Sequence, residues 1–433
     1  MNSIVNTNFA KYVCVVSVMS LLCCLILPFV FRLDIQMFLF QILSIFLTIT
    51  FVLISVRCKI PIQIILLLVA LYFLLLRGSC LLFEIEDLPY DGITYQDWGE
   101  YISRFDSLYD GFTALLNRPP YDANINDFGY VILISFLYKW FGSFWGSIIM
   151  ELLKYTIHIV GCFFLYKLSK LVFDKESAIM TTTLWAFNSY IVYFSIANLK
   201  EPFFCALVII ATYYMYLAII NKAPIYFCIF IISSLSTFFF RAVFPIYYIF
   251  TYYFFLLFQK KLSRRNMSIV VLMAFVLMFT GTGVLSLFFP EVVGLVKQRE
   301  DTFESNGMIF YFLNILSTYI SPFPAFDSSN MIVNLSTVSY SLLNMTFAIF
   351  GMLGIYYSIK KEFTLQFPLI MIILFNSGLV IISGFSMNAR FTIPIVPLFY
   401  SFIPLGLTYA FNRRIILSYL AFVFTITLLY NLR

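Results

Sequence analysis

Apolar runs of about 20 residues recur from end to end of this chain, and that spacing limits its fold more than any motif does. A helix needs about 20 apolar residues to cross the hydrocarbon of a bilayer. Runs near that length lie at 12–31, 35–56, 60–82, 143–166, 177–197, 202–221, 224–240, 242–259, 267–289, 337–359, 365–385, 391–411 and 415–431. With 62% apolar and only 11% charged residues among 433, there is more apolar surface than a soluble core of this length could bury. The expectation is an all-α polytopic integral membrane protein, one transmembrane domain over 1–433 with about 12–13 transmembrane helices. The first run is too long for a signal-peptide core and lacks a small-residue cleavage site, so it is read as a retained span.

The basic residues set the orientation. With a cytoplasmic N-terminus, 15 of the 27 Lys and Arg fall on the inner side: Lys11, Arg57, Lys59, Lys167, Lys170, Lys175, Lys222, Lys260, Lys261, Arg264, Arg265, Lys360, Lys361, Arg413 and Arg414. The same loops hold only Asp174, Glu176 and Glu362 as acids. The net charge of +6 therefore comes from cations dispersed between apolar runs, not from one basic face, and it does not point to a nucleic-acid partner. Eight Cys without metal-ligand spacing and a single His speak against structural zinc, haem or a disulfide framework. No Asp-x-Asp and no phosphate-cradling glycine loop is present, which argues against a nucleotide-sugar enzyme working on the inner side.

This orientation leaves two large loops outside, 83–142 and 290–336. The first holds the longest polar interruption, Glu84 to Phe128, with ten of the eleven acids that occur up to Asp127 and no Lys. Such a stretch faces water. It runs into 129–141, whose apolar residues follow a helical period over a length too short to span, ending in Lys139 and two aromatics. That pattern predicts an interfacial helix along the outer leaflet. Segment 224–259 carries one charge, Arg241, with Pro245 shortly after, which predicts two helices turning at Arg241.

Ionisable groups at membrane depth cost on the order of 3 kcal/mol each on insertion scales, so each needs a reason. Lys200 and Glu201, Arg241, and Arg390 all fall at outer helix ends, facing Asp91, Asp97, Glu100, Arg104, Arg118 and Lys139 of the first loop. Cations there suit the phosphate of an anionic lipid-linked substrate, and a carboxylate suits proton removal from an acceptor hydroxyl. The plainer alternative is a set of snorkelling charges that anchor helix ends. Inside the fourth run, Glu151, Lys154 and His158 share one helix face. They are read as a self-neutralising pair turned into the bundle in preference to a proton relay, since no matching charge is assigned to another span. Glu84, Glu86 and Asp87 offer hard oxygen ligands for a divalent cation, but a solvated acidic face accounts for them, so no metal or other cofactor is expected.

Several short motifs stand out along the chain: Asp91 with Tyr95 four residues on, Gly129 and Tyr130 with Phe141 and Gly142, LYKLSKLVF at 165–173, and Lys200, Glu201 and Pro202. Further on come Arg241, SPFP at 321–324, and Arg390 with Pro394 and Pro397. Together they resemble the GT-C type of membrane glycosyltransferases and the related bacterial surface-polysaccharide polymerases of the Wzy kind. The resemblance spans roughly residues 85–410. It implies transfer of a sugar or oligosaccharide from a polyprenyl (pyro)phosphate to a hydroxyl at the periplasmic face of a bacterial inner membrane. Asp91 would be the base, with Asp97 second. Arg241 and Arg390 would complete the catalytic set, and Lys200, Glu201, Arg118, Lys139 and Tyr95 would bind substrate. Asp91 stands without a second acid beside it, and no periplasmic domain is expected after the last span. Both departures favour an O-antigen or capsule repeat-unit polymerase over a transferase of single sugars. The implied partners are undecaprenyl-pyrophosphate-linked glycans, the bilayer and a chain-length regulator protein. A flippase for the same lipid-linked unit is the alternative of another class, and no internal repeat supports it.

Overall fold

In the computed structural model the described residues are 7, 9–18, 35–57, 60–83, 90–117, 128–241, 243–259, 317–320, 331–361, 363–382, 389–409 and 412–431. Among them every regular element is a helix. In chain order these are α1 (Phe9–Val18), α2 (Ile35–Arg57), α3 (Ile62–Leu82), α4 (Tyr90–Ser103), α5 (Leu108–Leu116), α6 (Phe128–Val172), α7 (Lys175–Ala186) and α8 (Ser189–Ile196). They continue with α9 (Glu201–Asn221), α10 (Pro224–Ser236), α11 (Phe244–Gln259), α12 (Met331–Lys361), α13 (Phe363–Ile382), α14 (Ala389–Thr392), α15 (Val396–Tyr400), α16 (Ile403–Tyr409) and α17 (Arg413–Asn431).

The protein is an all-α polytopic membrane protein. Six described helices are long and apolar enough to cross a bilayer, and five shorter apolar helices accompany them on expected spans. Exposure along α3 gives the physical reason for lipid contact. Ile64, Leu67, Leu71, Leu74, Leu75 and Leu81 are all exposed on a helical period, while Ile65, Val69, Tyr72, Phe73 and Leu76 are buried on the other face. Water would penalise such a stripe; acyl chains do not.

Three spans differ from their sequence expectation. The run 177–197 is two helices, because Asn188 breaks it and its side chain accepts from the Tyr190 amide at 2.9 Å to start α8. The run 391–411 is three short helices, interrupted where Pro394, Pro397 and Pro404 remove backbone donors. The amphipathic segment and the fourth run form one continuous trace, α6, divided at Gly142, whose φ of 75° and ψ of 165° suit glycine. The chain does turn at Arg241, after a short 3₁₀ segment Thr237–Phe239. The run 267–289 and most of the expected loop 290–336 lie outside the described residues.

Close crossings hold the bundle together. A Cβ on Gly354 would sit 2.0 Å from the Phe402 carbonyl oxygen, and one on Gly406 2.0 Å from that of Phe350, so α12 and the α15–α16 segment touch backbone to backbone. Serine and threonine hydroxyls satisfy the buried polar demand locally. Thr48, for example, donates to the Ser44 carbonyl at 2.8 Å and meets the Tyr72 hydroxyl at 2.8 Å.

Candidate functional site

Residues from the first loop, the start of α9 and the α13–α15 connection meet at one point. Arg390, on α14, donates from Nε to Glu201 Oε1 at 2.9 Å and from Nη1 to Asp91 Oδ2. These contacts join positions 189 and 299 residues apart in sequence. Asp91 lies in the first turn of α4 and Glu201 in the first turn of α9, where carboxylates also complement exposed amide dipoles. The two acids differ in access: the Asp91 side chain is 46% exposed and that of Glu201 2%. Glu201 Oε2 is buried with no hydrogen-bond partner. Burial works against the charge on Arg390, yet Glu201 and the hydrogen bond that Arg390 donates to Asp91 outweigh it, so the guanidinium is held protonated beyond free arginine.

Arg241 sits behind Arg390 and grips its backbone. Its Nη2 donates to the Arg390 carbonyl at 2.8 Å and its Nη1 to the Phe391 carbonyl at 3.1 Å. The guanidinium stacks 4.5 Å from the Phe391 ring and 5.4 Å from that of Phe204. Asn376 on α13 adds a donation to the same Phe391 carbonyl at 3.2 Å. Arg241 thus positions the Arg390 turn from the rear. Lys200 is buried one residue before Glu201 and donates to the Phe240 carbonyl at 3.1 Å, tying the start of α9 to the Arg241 turn.

Tyr95 follows Asp91 by one turn of α4 and is buried, its ring edge-on to Tyr130 at 5.4 Å. The Tyr130 hydroxyl donates to Asn198 Oδ1 at 2.6 Å. Asn198 takes a left-handed φ of 53°, which asparagine tolerates. Beneath it, Lys154 is fully buried and donates to Asn198 Oδ1 at 3.1 Å and to the Ser195 carbonyl at 2.9 Å.

The other predicted site residues are placed elsewhere. Asp97 is exposed, about 240° around α4 from Asp91 at 100° per residue. Glu100 pairs locally with Arg104 at 3.7 Å across a solvated helix turn. Lys139 is exposed and donates to the carbonyls of Phe105, at 2.9 Å, and Asp106, which ties the first half of α6 to the end of α4. Arg118, Glu84, Glu86 and Asp87 lie outside the described residues. Among the described residues no group of three or more His, Cys, Asp or Glu is placed to hold a metal ion.

The expected self-neutralising pair in the fourth run is corrected. Glu151 Oε1 meets Arg77 Nε of α3 at 3.1 Å and accepts from the Tyr155 hydroxyl, while Lys154 turns away to Asn198. A matching charge does sit in another span. Its signal was the lone Arg77 within the 60–82 run. His158 is buried, its Nε2 3.3 Å from the Ala186 carbonyl, with its ring packed on Phe73 and Trp185. Asn198 and Asn376 carried no sequence signal, because asparagine in an apolar run is uninformative until its neighbours are known.

No family model, no curated protein and no solved structure matches this chain.

Proposed function

We propose that the protein is a GT-C-like glycosyltransferase that polymerises undecaprenyl-pyrophosphate-linked repeat units of O-antigen or capsule at the periplasmic face of a bacterial inner membrane. The observation that carries this reading is Arg390 held between Asp91 of the polar helix α4 and Glu201 at the start of the apolar helix α9, with Arg241 and Lys200 close by. A guanidinium fork matches a phosphate as well as it matches a carboxylate. An exposed carboxylate next to it suits proton removal from a sugar hydroxyl. In the reaction Asp91 takes the proton of the acceptor hydroxyl as its oxygen bonds to the anomeric carbon of the donor. The bond from that carbon to the pyrophosphate oxygen breaks, and the leaving group departs with the electron pair and its negative charge on Arg390. Pyrophosphate is a good leaving group, so positioning and cationic stabilisation are the protein's main contributions.

Deleting the gene and separating the surface polysaccharide on a gel tests the reading. A polymerase mutant leaves a single repeat on the lipid core. Loss of every repeat would replace this reading by a flippase, and a full ladder lacking one side sugar by a transferase of single sugars.

A further inference from the structure

The guanidinium that the proposed reaction needs for phosphate is already occupied. Both acids on Arg390 carry full negative charge when ionised, and one of them, Glu201, is built in: its side chain is 2% exposed and it opens α9 with Pro202 behind it. The other is not. Asp91 reaches Arg390 from a separate helix, its side chain remains 46% exposed, and its contact is a half-solvated ion pair of the kind that exchanges readily. Arg390 itself cannot retreat, since Arg241 and Asn376 hold the carbonyls of its own turn. An incoming anion therefore meets a fixed cation whose exposed side is covered by a removable carboxylate.

We propose that Asp91 is a tethered base: Arg390 holds its carboxylate until the phosphate of a lipid-linked donor takes that place, and the displaced carboxylate is then free to accept the acceptor's proton. The exchange keeps Arg390 paired, because one anion replaces another. It also makes the base available only when donor is bound. The inference rests on the transferase reading of this site and adds the order of events within it.

The test is binding of inorganic pyrophosphate to the purified full-length protein, followed by microscale thermophoresis at fixed ionic strength. If Asp91 competes for Arg390, Asp91→Asn tightens pyrophosphate binding about 2- to 5-fold, as removal of a half-exposed competing ion pair predicts. Asp91→Ser, which removes the carboxylate by a different route, gives the same tightening. Asp110→Asn, which removes an exposed acid from α5 and serves as the charge control, shifts binding less than twofold. Arg390→Ala abolishes binding in either background. Equal affinity in wild type, Asp91→Asn and Asp91→Ser overturns the tether alone and leaves the phosphate site standing. If neither wild type nor the Asp91 variants bind, the phosphate-site reading falls and the tether falls with it.

Discussion

Among the described residues two ionic clusters join separate helices, and they are built to opposite rules. At Arg77 and Glu151 the partners come from neighbouring helices, α3 and α6, are similarly shielded at 26% and 21% exposure, and are closed by the Tyr155 hydroxyl on the same carboxylate oxygen. At Arg390 the partners come from three distant segments, and one acid is sealed while the other is half exposed; each cluster keeps one buried polar atom without a hydrogen-bond partner, Arg77 Nη1 in the first and Glu201 Oε2 in the second. The first arrangement neutralises charge so that two spans can pack. The second leaves charge unevenly covered at a place where other cations converge, an arrangement that stability alone would not favour. Asymmetry of access, more than the number of ion pairs, separates the candidate site from the structural pair.

The largest expected effect comes from breaking the asymmetric cluster. Arg390→Ala leaves the buried Glu201 carboxylate without its cation and should abolish chain extension, a loss of at least 100-fold on polysaccharide gels, while the protein still inserts at normal levels in membrane fractions. Arg241→Ala should do nearly the same, since it frees the backbone on which Arg390 is mounted. Arg241→Lys should rescue only in part, because an ammonium can reach the carbonyls but loses the planar packing of the guanidinium on Phe391 and Phe204. Normal ladders in both alanine variants would remove the site assignment.

The structural pair should respond differently. Removing one partner, as in Glu151→Ala or Arg77→Ala, leaves an uncompensated charge and should cost on the order of 3 kcal/mol, read as a lower thermal midpoint in detergent. Removing both, as in Arg77→Leu with Glu151→Leu, should recover most of that loss, because an apolar pair replaces a buried ion pair at little cost. Activity per folded molecule should remain near wild type throughout. No such rescue is expected when Arg390 and Asp91 are replaced together. A double leucine variant that folds well but no longer extends chains would show that the two clusters do not differ in the way proposed here.

The same contrast marks how far the sequence could be read. Hydrocarbon-length runs and the placement of Lys and Arg were enough for the membrane class and for the turn at Arg241, because lipid tolerates few patterns. Glu201 and Arg390 stood out as ionisable groups at the ends of apolar runs, and Asp91 as an acid of the first outer loop, so their types and approximate depth were legible. Their roles were not. That Arg241 holds a backbone turn while Arg390 faces the acids depends on which way each fork points, and nothing local in FFFRAVFP or SMNARFTIP encodes that. Arg77 was hidden in plain view because a cation five residues from the end of a run reads as an anchor. The i, i+3 spacing of Glu151 and Lys154 was a false cue, since α3 and the 195–198 segment offer each a better partner than the other.

Lys154 lies between the clusters and tests whether the turn below the site is held from beneath. Lys154→Met keeps length and apolar volume but removes the donor to Ser195 O and Asn198 Oδ1. Tyr130 still donates to Asn198, so the turn should loosen without collapsing, at about 1–2 kcal/mol of stability. Chain extension should fall roughly tenfold, in keeping with a shift of Glu201 that leaves the chemistry intact. An unchanged rate would confine Lys154 to packing.

The smallest effect is expected at Lys139, and there two accounts of one residue part company. As a substrate-binding residue, the role that the family resemblance implies, it would be needed for catalysis, and Lys139→Gln would cost activity heavily. In the fold its ammonium is exposed and its donors go to the Phe105 and Asp106 carbonyls at the end of α4. Glutamine retains an NH₂ donor within reach of at least one of those carbonyls, and an exposed hydrogen bond contributes about 1 kcal/mol or less. Lys139→Gln should therefore leave chain length and rate within twofold of wild type, measured as the ladder distribution at matched protein level. A loss comparable to that of Arg390→Ala would mean that Lys139 leaves those carbonyls when substrate arrives. The first half of α6 would then supply a second exchangeable cation to the site.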